Sequence, residues 1–289
     1  NLMVSILNES LPQGVLNIVH GDGTVGNYLV ESNDINLVAF TGSLAVGKKI
    51  MKTSASNLKR LIMELGGNDP MIVLDDANLD AAAHFAVGSS FENSGQMCTS
   101  TERIYVLSGI ADKFIDRVKQ IASSYKVGPW NEADSQLGPI INQKQLSKIK
   151  SQVDDALNKG ATLLLGGDIV ENRYFQPTVI KDLRQAMQLE QEETFGPVAA
   201  VIPFDTQEEV LAMANDTNYG LAAYVYTTNM SRAMRMFEGL QFGMVGINDI
   251  NPTSAAAPFG GMKESGLGRE GAREGLMEYY ETKLAGISI

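Results

Sequence analysis

The chain has 289 residues, enough for two domains of ordinary size, and its 44% hydrophobic and 20% charged residues are those of a globular protein. With 23 Lys and Arg against 34 Asp and Glu, the net charge of −11 argues against nucleic-acid or anionic-membrane partners. A single cysteine, Cys98, excludes an intrachain disulfide and fits a reducing, cytoplasmic compartment, and with only His20 and His84 beside it no closed Cys/His zinc site can be assembled.

No apolar run approaches the roughly 18–20 residues of a membrane span, and the opening NLMVSILNES lacks the basic segment and cleavage site of a signal peptide. From there, apolar runs alternate with helical patterns, which predicts an α/β fold with a mostly parallel sheet. Strands are predicted at Leu16–Val19, Leu37–Phe40, Leu61–Leu65 and Met71–Leu74, with helices from Val25, over Ala45–Ser54, and from Asn78 to about Asn93. Farther on, strands fit Ile104–Leu107, Thr162–Leu165, Val198–Pro203, Ala222–Tyr226 and Met244–Asn248. Helices fit Ala111–Tyr125, Gln143–Lys159, Gln207–Asp216 and Met230–Leu240. Pro258–Gly271 is glycine-rich, as functional loops are, and Tyr279–Ile289 reads as a helix exit into a terminal strand.

Two glycine turns stand where a strand opens into a helix, a natural phosphate cradle. Gly21-Asp22-Gly23-Thr24-Val25-Gly26 is a literal G-x-G-x-x-G, a pattern that a plain tight turn also satisfies. Gly42-Ser43-Leu44-Ala45-Val46-Gly47-Lys48 nearly matches a P-loop, and Met71–Asp76 resembles a strand ending in a magnesium-binding Asp. A P-loop nucleotide triphosphatase is therefore one reading, opposed by Lys49, which stands where a Ser or Thr hydroxyl should bind magnesium.

Cys98 lies in the polar, Gly-containing segment Asn93–Arg103, beyond a helix end, which suits a nucleophilic thiol better than a small core hydrophobe. His84, on the Ala-rich helix, reads as structural. Glu64 ends an apolar strand before Gly66-Gly67, so partial burial would raise its pKa toward that of a general base; a solvated edge carboxylate is the alternative.

Together these segments resemble the aldehyde dehydrogenase superfamily along essentially the whole chain. The resemblance rests on Phe40-Thr41-Gly42-Ser43 with Gly47, Met63–Gly67, Gly95–Cys98, Glu192–Val198, Pro258–Gly261 and Ser265–Gly271, in that order. It implies a Rossmann-like nucleotide-binding sheet remnant over residues 1–66, a thiol-bearing α/β catalytic domain over 67–265, and a C-terminal helix with an oligomerisation strand over 266–289. It further implies that Cys98 attacks the aldehyde, hydride passes to NAD or NADP, and Glu64 activates the water that hydrolyses the thioester. The Cys98 N–H would be one oxyanion donor. Gly42, Ser43, Gly47 and Leu65 would face the cofactor's pyrophosphate side, Gly21 and Gly23 its adenine side, and Glu193 and Phe195 its nicotinamide half. Met97, Thr99, Phe259 and the loop Asp249–Ala257 would shape the substrate pocket. No metal is implied, and the partners are a small aldehyde and further copies of the chain, in a homodimer or homotetramer.

Members acting on succinate semialdehyde carry an arginine six positions before the nucleophile, where this chain has Glu92. The substrate is thus succinate semialdehyde or another small aldehyde. Family chains hold roughly one more domain before the position matching Asn1, which makes a fragment the expected reading. A catalytically silent relative is the remaining alternative.

Overall fold

The computed structural model describes residues 1–249 and 254–289. Its first third contains helices α1 (Leu2–Asn8), α2 (Gly23–Glu31) and α3 (Leu44–Ser54) with strands β1 (Leu37–Thr41) and β2 (Arg60–Glu64). The middle runs through β3 (Asp69–Val73), α4 (Leu79–Phe91), β4 (Thr101–Leu107), α5 (Ala111–Ala122) and α6 (Gln143–Asn158). Four short strands follow, β5 (Thr162–Leu165), β6 (Ile169–Val170), β7 (Tyr174–Phe175) and β8 (Thr178–Lys181), then α7 (Gln188–Gln191) and β9 (Val198–Phe204). The chain closes with α8 (Gln207–Asn215), β10 (Ala222–Tyr226), α9 (Met230–Gly239), β11 (Met244–Ile247), β12 (Gly266–Leu267) and α10 (Ala272–Met277).

The large sheet has seven strands in the order β11-β10-β3-β4-β9-β8-β5, all parallel except β5. Period-two alternation sends Met71 and Val73 of β3 to one face, where they join Ala82, Ala86, Phe114 and Val118 of α4 and α5. Ile72 and Leu74 point to the other, against Ile149, Val153, Val210 and Met236 of α6, α8 and α9. On α5 the buried Ala111, Phe114, Ile115, Val118 and Ala122 recur at helical spacing, so one stripe meets the sheet. Caps fix the helix starts: Asn78 Oδ1 accepts from Ala81 N–H, and Thr206 with Glu209 forms a capping box on α8.

A small sheet, β1-β2-β12, sits beside it, with β1 parallel and β12 antiparallel to β2. Glu64, the last residue of β2, is paired with Thr41 on one side and Gly266 on the other. Residues 65–68 then lead directly into β3, the centre of the large sheet. The carboxyl ends of β1 and β2 thereby face the amino ends of β3, β4 and β9.

Several expectations change. Leu16–Val19 is not a strand, since it pairs with no neighbour among the described residues. The strand expected from Met71 starts at Asp69 and includes Pro70, tolerated because the ladder to β4 shifts register between Asp69 and Pro70. Within the glycine-rich Pro258–Gly271, Gly266-Leu267 is a strand, and Phe259 bridges Glu270. The segment Tyr279–Ile289 leaves α10 but forms no ladder among the described residues, and Leu284, Ile287 and Ile289 are exposed.

The largest fully buried side chain is Arg103 on β4. It donates to the carbonyls of Asn68 (2.8 and 3.1 Å), Ala214 (3.0 Å) and Met213 (3.3 Å) and to the Tyr105 hydroxyl (3.0 Å). Tyr105 in turn donates to Glu190 Oε1 at 2.6 Å. One cation thus ties the start of β3 to the end of α8. Arg103→Ala strands these carbonyls and the Glu190 carboxylate, and chemical denaturation should show a loss of about 3–5 kcal/mol.

Candidate active site

Cys98 sits in the loop after α4, just before β4, and is half-buried. The loop is bent by left-handed residues Asn93 (φ 50°), Ser94 (φ 59°) and Gly95 (φ 70°), and Asn93 and Gln96 side chains tie it to the carbonyls of Gln96, Asn93 and Pro139. A Cβ on Gly95 would lie 2.1 Å from the Gly196 carbonyl oxygen, so glycine is required where this loop touches the Glu193–Pro197 loop. A Cβ on Gly67 would lie 2.4 Å from the Cys98 carbonyl, and one on Gly66 2.6 Å from Glu193 Oε2. The two glycines let the crossing from small to large sheet run against both functional loops.

Glu64 is buried, and neither carboxylate oxygen has a hydrogen-bond partner. Burial, with the nearby charge of Glu270, raises its pKa to about 8, against the lowering influence of Arg269. The solvated-carboxylate alternative is thereby excluded. Burial likewise pushes the Cys98 thiol up to about 11, with Asp69, Glu64 and Glu193 adding their negative charge. At neutral pH Glu64 is thus mostly protonated with a minor ionised fraction, while the thiol holds its proton.

Glu193 is half-buried, accepts from Gly67 N–H at 3.3 Å, and is raised in pKa by burial. Its loop is clamped from β4: Glu102 Oε2 accepts from Thr194 N–H (2.9 Å) and Oε1 from Phe195 N–H (3.0 Å), holding Phe195 at φ 53°. Sequence reasoning missed Glu102, which reads as one more polar residue in the segment after Cys98 and shows its role only when β4 and β9 are paired.

At the small sheet, Gly42 N–H donates to the Glu64 carbonyl at 3.0 Å and Ser43 N-caps α3 through its backbone, its hydroxyl making no cap bond. Gly47 lies inside α3, where a Cβ would meet Leu65 Cδ2 at 2.7 Å; its smallness serves helix-to-strand packing. This excludes the P-loop reading, since the phosphate loop would have to extend through residues that are helical. Lys48 pairs instead with Glu264 at 2.8 Å, and Asp76 is taken by Thr227, Thr228 and Arg232. Gly21 and Gly23 flank Asp22, whose carboxylate caps α2 through Thr24 N–H and places negative charge where a phosphate would sit.

A cavity of about 1250 Å³ runs along α4 from Met97, Cys98 and Thr99, with Phe259 and Glu270 contributed by the glycine-rich segment. His84 and Glu92 also line it, and the aromatic rings of Phe85, Tyr224 and Tyr226 were not foreseen as pocket residues. Glu64 is outside this lining. Of the loop Asp249–Ala257, residues 250–253 lie outside the described residues. Among the described residues no cluster of three or more His, Cys, Asp or Glu could hold a metal ion, and no helix is long and apolar enough to cross a membrane.

Over residues 1–285 the chain matches the aldehyde dehydrogenase family. It is 42% identical over 280 residues to a glutarate-semialdehyde dehydrogenase of Pseudomonas putida, covering 96% of this chain and 58% of that protein. To the NADP(+) succinate-semialdehyde dehydrogenase GabD of Escherichia coli it is 41% identical over 286 residues, covering 98% and 59%. The crystal structure of a Staphylococcus aureus betaine aldehyde dehydrogenase in complex with NAD+ superposes with a TM-score of 0.91 at 38% identity, over 95% of this chain and 56% of that one. The chain thus spans a little under three fifths of the length of these relatives.

Two outcomes test this geometry. Gly67→Ala drives a methyl into the backbone carbonyl of Cys98, and denaturation should show a loss of about 1–3 kcal/mol. Glu102, fully enclosed, is raised from 4.5 to about 7 by burial. The folded state therefore holds a proton that the unfolded state has released, and this residue's contribution to stability falls as pH rises from about 4.5 to about 7. Melting temperatures of Glu102→Gln should decline less steeply across that window than those of the parent.

Proposed function

Because the chain belongs to the aldehyde dehydrogenase family, we propose that its protein oxidises a small aldehyde to the carboxylic acid, with Cys98 as nucleophile and Glu64 as the base for water. The observation that carries this reading is Glu64 itself, a buried carboxyl with both oxygens unpartnered and a pKa near working pH, close enough to Cys98 for its charge to raise the thiol. The thiol releases its proton to solvent and attacks the carbonyl carbon as the thiolate, and the Cys98 N–H steadies the oxyanion of the thiohemiacetal. After oxidation, the ionised form of Glu64 takes a proton from the water that attacks the thioester; the acid leaves, and the departing Cys98 thiolate takes that proton from Glu64 to regain its thiol.

Oxidation requires a dinucleotide, and the residues present fit one. The Ser43 hydroxyl is uncommitted at the start of α3, and Glu193 is held by Gly67 at the mouth of the crossing. NAD or NADP, when bound, supplies the hydride acceptor. Gly42, Ser43, Gly47 and Leu65 would form its pyrophosphate side, Glu193 would receive ribose hydroxyls, and Phe195 would pack beside it; Gly21 and Gly23 are assigned to the adenine side. Within this reading residues 1–66 form the nucleotide part, 67–265 the thiol-bearing part and 266–289 an association segment. The exposed Leu284, Ile287 and Ile289 suit a homodimer or homotetramer. The single cysteine suits a cytoplasmic setting.

The test is the absorbance of reduced cofactor formed from short aldehydes with NAD+ and with NADP+, using this chain and, in parallel, any longer polypeptide that contains it. Cys98→Ala should abolish turnover, and retained activity in that variant overturns the assignment. Glu64→Gln should leave one rapid burst per site, followed by a steady state slower by about 10²–10⁴.

A further inference from the structure

We propose that Glu102 is a positioning residue for the cofactor site: its carboxylate sets the Glu193 loop in its working shape before any dinucleotide arrives. The proposal rests on the reading of Glu193 as the contact for the nicotinamide ribose. In the ladder between β3 and β4, Asp69 opposes Thr101 and Pro70 opposes Arg103, so the register shift leaves Glu102 with no residue across from it. A bulge of this kind re-aims a side chain. Here the side chain it frees is a carboxylate, and that carboxylate meets the loop that enters β9.

The loop has little of its own to hold it. Residues 192–197 belong to no helix or strand, and among the described residues no backbone carbonyl accepts from the amide of Thr194 or Phe195. Phe195 also stands at φ 53°, a left-handed conformation that a bulky L-residue avoids. Glu102 supplies both missing acceptors, Oε2 to Thr194 N–H at 2.9 Å and Oε1 to Phe195 N–H at 3.0 Å. Two bonds to one planar carboxylate fix the direction of both peptides, which a single bond would not. The opposite edge of the loop is taken by α6. Gln145 Nε2 donates to the carbonyls of Thr194 (2.9 Å) and Phe195 (3.1 Å), and Lys148 Nζ donates to that of Glu193 (2.7 Å). With both edges held, the Glu193 side chain leaves a fixed backbone and accepts from Gly67 N–H at 3.3 Å. Glu102 is itself buried, so it acts through the loop and not on the ligand.

Two measurements test this, on a polypeptide that contains this chain and binds NAD+ or NADP+. The first needs no substitution: hydrogen exchange of the Thr194 and Phe195 amides before cofactor is added. Both should exchange about 10²-fold or more slowly than in an unstructured peptide. Unprotected amides at that stage overturn the proposal. The second is calorimetric titration at a pH above the value of about 7 to which burial raises Glu102. The ligands are the dinucleotide that binds more tightly and, beside it, ADP or its 2′-phosphate, which lack the nicotinamide ribose. Glu102→Gln keeps one acceptor and turns a donor toward the other amide. It should raise the dinucleotide Kd and KM about fivefold or more, and leave the aldehyde KM and the ADP Kd within about twofold. A merely structural role would move both nucleotides together or neither, and either result overturns the proposal. Glu193→Ala should weaken the dinucleotide at least as much, and Glu102→Gln added to it should change nothing further. If Glu193→Ala weakens binding and Glu102→Gln does not, the proposal falls and the ribose reading stands. If Glu193→Ala has no effect, or no such polypeptide takes up either dinucleotide, the ribose reading falls and the proposal with it. Should Glu102→Gln fail to fold, the exchange measurement decides alone.

Discussion

Residues 65–68 carry the chain from the last position of the small sheet to the first of the large one, and the site is organised around that short passage. Gly66 and Gly67 leave no room for a Cβ, because the Glu193 carboxylate and the Cys98 carbonyl already occupy it. A passage of four residues cannot swing far, so Glu64 at one end and Asp69 at the other are held at fixed places. The loops bearing Cys98 and Glu193 precede β4 and β9, neighbours in the same ladder, and they meet the passage from one side. Arg103 anchors its far end by holding the Asn68 carbonyl. The spacing of Glu64, Cys98 and Glu193 is thus inherited from sheet geometry rather than from loop conformation alone.

The same convergence creates the electrostatic character of the site. Glu64, Asp69, Glu102 and Glu193 are all withdrawn from water, and each is displaced toward its protonated form. Mutual repulsion explains part of this and burial most of it. Burial thus favours the neutral form of each of these carboxyls around the single thiol. Any positive charge brought beside Cys98 acts on all of these groups together and moves the thiol toward its reactive form.

Much of this was legible in the order of residues, for reasons that differ by element. The strands β4, β9 and β10 were visible as apolar runs because buried parallel strands have no polar face. Segments bearing Cys98, Glu64 and Glu193 stood out because polar and glycine-rich stretches inside an α/β pattern have little packing reason to exist. What stayed hidden depends on partners distant in the chain. Gly266-Leu267 has no strand propensity and becomes one only beside Met63 and Glu64. Leu16–Val19 has the propensity and lacks the neighbour. Phe85, Tyr224 and Tyr226 look like core residues in a list of letters, and only the fold opens a cavity along them. Glu102 resembles a surface carboxylate until two backbone amides arrive from 92 and 93 residues away.

A lone thiol at the end of a cavity also decides how the molecule meets oxidants. Once Cys98 is converted to a sulfenic acid, no second cysteine within these 289 residues can condense with it, so relief has to come from a small thiol entering through the cavity. Shape and charge of that cavity then govern repair. The high pKa of the resting thiol offsets this exposure, because the thiolate that peroxide attacks is scarce until something arrives to stabilise it. Vulnerability is confined to the moments when the site is primed for chemistry.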